Sequence, residues 1–368
     1  MRPLTLLVLP AVAAVALSAC SGSGQADNGS SPATIRLGIS PFQDTMLPLV
    51  AEQKGWFKAE GISVELKSLA WDAIMPAVAS GSVDAAINNT TGVVSVASKS
   101  PNILYWYAWN PFTQGSALMG RKSAGLQTLV QLKAAGLSPE AARVKAFEQL
   151  KGKTIVTTMS TDMGKQVVAA LKSVNLTQED VKIVDMNPDQ GLAAFLSGTG
   201  DAYLGGIPQR TRATAEGMLV VASGPDLAPP PINGLVTTTD YAGKHDDSLL
   251  KLVHVLHKTI RYCDANTADC GKIITEQLNK DTGANLTIQG FVDFWQKFEL
   301  YAGNAKAVED MILAPTGVAY WEKTWNGDNE YLASNGSIPS PVEAKVHFKV
   351  KETLDAYVKK YGENESGF

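Results

Sequence analysis

The sequence is poor in the groups on which most enzymes and nucleic-acid binders depend. Its 368 residues hold three cysteines and four histidines, and 36 acidic residues against 32 basic ones give a formal charge of −4. That mild acidity lacks the basic footprint of a nucleic-acid binder, so no nucleic-acid partner is expected. His254 and His257 lie three apart on one helical face, but no third ligand accompanies them, and His245 and His347 are isolated. A GxSxG motif and a P-loop are both missing, and the "GSGQADNG" stretch precedes any strand and so lacks a phosphate-loop context. No catalytic residue, metal site or cofactor is expected. After residue 20 no apolar run reaches the roughly 20 residues that a membrane span requires.

The N-terminus is where the sequence becomes specific. Arg2 precedes the apolar run "LTLLVLPAVAAVAL", which ends in Leu17-Ser18-Ala19-Cys20. Small residues before a cysteine fit a bacterial lipoprotein signal, in which cleavage precedes Cys20 and its thiol carries the lipid; an ordinary signal peptide beside a cysteine is the alternative. Residues 21–33, "SGSGQADNGSSPA", form a Gly/Ser-rich flexible tether. The protein is therefore expected to be exported and lipid-anchored on the extracytoplasmic face of a cell membrane. In that oxidising setting Cys263 and Cys270, which flank "DANTAD", are expected to form a disulfide. A metal pair or two free thiols are the other readings.

From Thr34 onward roughly 335 residues remain, more than one core comfortably holds, so two lobes are expected. "TIRLGIS", "ISVELKSLA", "VDAAINN" and "NILYWYAWN" read as strands separated by helices, the first helix running through "DTMLPLVAEQKGWFKAEG" with Asp44 as its cap. The plan repeats in "KTIVTTMS", "VKIVDM", "DAYLGG" and "MLVVAS", again with helices between. Compare "AVASGSVDAAINN" with "AFLSGTGDAYLGG": helix, Ser-Gly, then a strand opening Asp-Ala. Lobe one is expected over 34–120 and 235–368, and lobe two over 121–234, with a helical insertion at about 121–150. The lobes should pivot near 118–124 and 232–238, and the helical C-terminal third should pack on lobe one.

The stretch "LGISPFQDTMLPLVAEQKGWFKAEGISVEL", followed by "SGSVDAAINNTTGVV" and "LKGKTI", resembles the nitrate/sulfonate/taurine/pyrimidine-precursor family of ABC transporter substrate-binding proteins. "KGWFKAEGI" is its most specific piece. The resemblance implies an α/β, two-lobed periplasmic-binding-protein-like fold of type II, each lobe a mostly parallel sheet flanked by helices, with a cleft between the lobes. It further implies a protein that closes on a small-molecule ligand and delivers it to an ABC permease, and a monomer is expected. An extracellular enzyme or a ligand sensor on the same fold are the alternatives.

Ligands of such sheets bind outside the carboxyl ends of the strands, beside helix N-termini. The candidate ligand site is therefore Ser40, Phe42, Gln43, Asp44, Trp71, Asp72, Asn88, Asn89, Thr90, Trp109, Thr158, Ser160, Thr161, Asp162, Pro208 and Gln209. Phe112 adds a further aromatic ring beside these loops. Asp44, Asp72 and Asp162 each have two readings, as a helix cap or as a partner for a ligand amine or ring N–H. Trp71 stands between core packing and ligand contact. Arg210 and Arg212 lie a helical turn too far in to clamp an anion. Bare nitrate or bicarbonate fits this lining less well than a taurine-like zwitterion, a sulfonate or a heterocyclic precursor.

Overall fold

A computed structural model describes residues 34–368. The expected signal peptide, Cys20 and the expected tether lie outside the described residues. Among the described residues no helix is long and apolar enough to cross a membrane.

Ten strands form two sheets. They are β1 (Thr34–Ile39), β2 (Ser63–Ser68), β3 (Ala85–Asn89), β4 (Ile103–Pro111), β5 (Ala117–Gly120), β6 (Thr154–Thr157), β7 (Lys182–Asp185), β8 (Ala202–Gly205), β9 (Leu219–Ser223) and β10 (Ile232–Thr238). The first sheet has the order β2-β1-β3-β10-β4 and the second β7-β6-β8-β5-β9. In each, one strand runs against the rest: β10 is antiparallel to β3 and β4, and β5 to β8 and β9. The sheets are thus mostly parallel with one reversed strand each, a consequence of a chain that leaves the first sheet and later returns to it.

The passage between the sheets differs from the sequence expectation. Residues 117–120, placed in lobe one from the sequence, form β5 of the second sheet. The chain crosses over 112–116 and returns over 224–231, not at 118–124 and 232–238. The short apolar stretch "ALMG" is too brief to betray which sheet it joins. The two crossings run side by side, with the Phe112 amide donating to the Pro231 carbonyl at 3.0 Å and the Gly224 amide to the Ser116 carbonyl at 3.1 Å. Gly224 has φ +43°, and a Cβ there would lie 1.9 Å from the Thr113 carbonyl oxygen, so only glycine allows this approach.

The first helix also departs from expectation. Residues Gln43–Thr45 form a single 3-10 turn, Leu47–Gln53 a helix with Pro48 in its first turn, and Trp56–Ala59 a separate turn after Gly55 at φ +71°. Asp44 is therefore no helix cap. Nor are the other two aspartates: Ala70 caps the helix Trp71–Ala79, and Thr161 caps Asp162–Lys172 through its hydroxyl.

The first sheet is packed by the C-terminal helices, with Leu249, Val253, Leu256, Ile274, Trp325 and Tyr357 in one core with β1, β3, β4 and β10. The helices Leu129–Ala134 and Pro139–Glu148 bury Leu132, Ala142 and Phe147 against Ile155, Leu204 and Val221 of the second sheet. Cys263 and Cys270 are bonded, with Cα atoms 5.5 Å apart, and join the helix ending at Ala265 to the one starting at Thr267. Closing so small a loop removes unfolded-state entropy equivalent to about 2.5 kcal/mol. Replacing both cysteines by alanine should lower the unfolding free energy by that order, read from denaturant titrations of the oxidised parent and the variant.

Candidate functional site

The elbow after β1 closes on itself. Thr45 donates its hydroxyl to the Ser40 carbonyl at 2.5 Å and to the Phe42 carbonyl at 3.1 Å, and the Phe42 amide donates to the Ser40 carbonyl at 2.8 Å. This turn sends Asp44 inward and leaves Phe42 beside Trp71, edge to face at 5.3 Å between ring centroids. Together they form one wall of a narrow cleft between the two sheets' ends, which in this arrangement has room for little more than a water molecule. Phe42, Asp44, Trp71, Asn89, Phe112 and Asn233 line it from one side, and Thr161, Asp162, Met163, Pro188 and Gly206 from the other.

An asparagine row runs across the end of the first sheet. Asn233 of β10 stands in register with Asn89 of β3 and Asn110 of β4. Its amide nitrogen donates to Asp44 Oδ2 at 2.6 Å and to Asn110 Oδ1 at 2.9 Å, and Asn110 donates in turn to the Leu300 carbonyl at 2.9 Å. Asn89 does two things. Its oxygen accepts from the Gly92 amide at 3.0 Å, capping the helix Thr90–Ala97, and its Nδ2 donates across the cleft to Asp162 Oδ1 at 3.0 Å. Asp162 Oδ2 accepts from Gln166 Nε2 at 3.2 Å.

Beneath this bond lies a second connection between the sheets. Asp328, fully buried on the helix Trp321–Ser334, accepts from Thr90 at 2.6 Å, from Thr91 at 2.7 Å and from Lys165 Nζ at 2.5 Å. The Tyr331 hydroxyl on the same helix donates to the Met159 carbonyl.

The sixteen sequence candidates divide accordingly. Phe42, Asp44, Trp71, Asn89, Thr161 and Asp162 line the cleft. Asp72 lies outside it, in an outer depression that shares the Phe42, Trp71 and Pro188 wall. The remaining nine do not line the cleft. Ser40, Gln43 and Asn88 are buried beside it, each with a side-chain atom lacking a partner. Thr90 is bound to Asp328, and Thr158 donates to the Met186 carbonyl at 2.7 Å. Trp109 is core, Ser160 is exposed, and Pro208 precedes the helix on which Gln209 donates to Asp189 at 2.9 Å. Five lining residues, Phe112, Met163, Pro188, Gly206 and Asn233, are not among the sixteen, although Phe112 was expected beside these loops. Asn233 was missed because β10 is reversed, so its start, rather than its end, faces the cleft.

Burial dominates the electrostatics. It pushes the Asp44 carboxyl up to about 7 and raises Asp162 as well, against the field of Lys165. Glu299, 3.4 Å from the Asn110 amide nitrogen, is raised well above the usual range by burial and then by Asp44. Among the described residues no group of three His, Cys, Asp or Glu side chains could hold a metal ion. His257 is buried and His254 sits between Glu60 and Glu365, 3.1 and 3.0 Å away, and neither lines the cleft.

A two-lobed binding-protein fold, with a cleft built from both sheets, is what this geometry defines. Residues 28–275 match the NMT1-like family, and the chain belongs to it. It is 23% identical over 274 residues to a protein of Brachyspira hyodysenteriae named for ABC-transporter periplasmic binding, covering 72% of this chain and 73% of that one. The alkanesulfonate-binding protein SsuA of Xanthomonas axonopodis pv. citri, solved with MOPS, superposes at a TM-score of 0.66 and 14% identity, covering 87% of this chain and 99% of that one. The periplasmic nitrate-binding protein NrtA of Synechocystis superposes at 0.62 and 14% identity, covering 90% and 89%. At such identities the likeness is one of fold.

Two outcomes follow from the buried carboxylates. Asp328→Ala leaves Lys165 buried without its counter-charge and should cost about 3–5 kcal/mol in denaturant unfolding. Asp44 titrates with the opposite sign to a paired surface carboxylate. The folded protein holds its proton up to about pH 7 while the unfolded chain releases it near 4, so stability falls as pH rises through that window. Asp44→Asn should remove a few kcal/mol of this loss, and unfolding free energies measured from about pH 5 to pH 8 should show a flatter slope in the variant.

Proposed function

We propose that the protein is the extracytoplasmic solute-binding component of an ABC importer, tethered through lipidated Cys20, acting as a monomer that binds rather than transforms a small organic solute. The observation that carries this reading is the cleft itself. Its lining comes from the ends of both sheets, and one hydrogen bond, Asn89 to Asp162, spans it. A solute seated there touches both lobes at once, so it binds the closed arrangement better than the open one and shifts the population toward it. A permease that docks on the closed form then receives loaded protein. The paired crossings at 112–116 and 224–231 are the natural hinge, since few backbone bonds join the sheets there.

Membership of the NMT1-like family and the relative named for ABC-transporter periplasmic binding support the same reading. The site we assign is Asp44, Asn89, Asn233 and Asp162 for polar contact, with Phe42, Trp71, Phe112 and Met163 around an apolar body.

The test is to purify the full-length lipoprotein in detergent and denature it, then identify the released solute by mass spectrometry. A single small molecule in near-equal amount to protein is expected. Added back at about 100 times its dissociation constant, it should stabilise the protein by about 2.7 kcal/mol and contract the scattering radius. Chemical conversion of that solute on incubation would defeat the proposal.

A further inference from the structure

We infer that the solute is an organic cation, a protonated amine or amidine on a flat apolar body, held between Asp44 of one lobe and Asp162 of the other. The inference rests on the solute-binding reading above and narrows it.

The cleft lining contains two carboxylates and no lysine, arginine or histidine. The cations in the first turns of the helices that start at Asp162 and Gln209 are engaged elsewhere. The Lys165 ammonium is bonded to Asp328 at 2.5 Å, and Arg210 donates to the Gln114 carbonyl at 2.5 Å with its guanidinium over the Phe298 ring. Two of the helix N-termini at the cleft are occupied by the protein's own groups, and the two without a side-chain cap, Trp71–Ala79 and Pro188–Leu196, carry Asp72 and Asp189 in their first turns. Asp162 is the first residue of its helix, and the start of Thr90–Ala97 carries the Asn89 cap and the Thr90 and Thr91 hydroxyls turned to Asp328. An anionic solute would meet carboxylates with no counter-charge.

The approach to the cleft repeats the sign. The outer depression is lined by Asp72, Asp189 and Asp281, all exposed, and by no basic residue. Such a mouth concentrates cations at the Phe42 and Trp71 wall, where aromatic faces favour them further. Inside, Asp44 has one side-chain donor, Asn233, although an ionised carboxylate can accept about four hydrogen bonds. A ligand N–H is the missing partner.

Proton linkage follows. Around Asp44 stand Asn233, Asn110, Glu299, Tyr301 and Asp162, none of them a cation. A cationic solute must therefore displace the proton that burial holds on Asp44, and binding tightens as pH rises through about 7.

The experiment titrates the full-length protein in detergent with three probes of one shape: benzamidine, benzyl alcohol and benzenesulfonate. It also identifies the formal charge of the co-purified solute. Benzamidine should bind, about tenfold more tightly at pH 8 than at pH 6. Asp44→Asn and Asp162→Asn should each weaken it about tenfold or more while keeping the parent circular dichroism. Benzenesulfonate should not bind. Tighter binding of benzenesulfonate or benzyl alcohol than of benzamidine, an anionic co-purified solute, or benzamidine binding indifferent to both substitutions overturns the cation assignment and leaves solute binding standing. No binding by any probe and no co-purified solute overturns both readings.

Discussion

One buried carboxylate organises the middle of this molecule. Asp328 takes two hydroxyls from the start of a helix on the first sheet and an ammonium from a helix on the second. Desolvating a lone carboxylate would be prohibitive, and three short donors are what make its position tolerable. Because those donors come from different lobes, the bond network fixes how closely the lobes approach on that side. The crossings at 112–116 and 224–231, held to each other by backbone hydrogen bonds, set where the two lobes are joined. Between these two constraints Asn89 reaches Asp162, and the cleft takes its width.

The same network decides the chemistry of the cleft by removing Lys165 from it. An ammonium free to swing beside Asp162 would neutralise the site and suit a zwitterion or an anion. Bound to Asp328, it acts on Asp162 only through its field, which does not overcome the effect of burial. Three acids, Asp44, Asp162 and Glu299, then share a poorly solvated region, softened by amide donors and, at Asp162, by the field of Lys165. Such an arrangement destabilises the unliganded protein, and perturbed carboxylates of this kind gather where a site is built for a partner.

Much of the architecture could be read from residue patterns. The strands, the elbow after β1 and the polar strand ends were legible because apolar alternation stops abruptly at Ser40, Asn88 and Thr157. What escaped was everything that depends on direction or distant partners. Asn233 sits at the beginning of a strand and lines the cleft only because β10 runs backwards. Asp328 lies in the polar stretch "WNGDNEY", and nothing local says that Thr90 and Lys165 will cover it. Asp44 looked like a helix cap because a periodic apolar run follows it. Pro48 delays the helix instead, and the 3-10 turn points the carboxylate inward.

A shared fold does not fix the sign of the ligand's charge. Closure needs two sheets whose ends meet and a hinge that lets them part, and both are properties of backbone topology. Ligand sign needs only a few side chains at the strand ends. Here those side chains are asparagines, which serve either sign, and two aspartates, which do not. The aspartates stand on opposite lobes, so each alone faces a neutral amide, and a single positive centre between them satisfies both. Once Asp44 has given up its proton, an anion in the same place would be repelled from both lobes at once, and closing the cleft would bring the repelling charges nearer. The act of closure thus amplifies whichever preference the carboxylates set, since lobe approach and charge compensation become the same step.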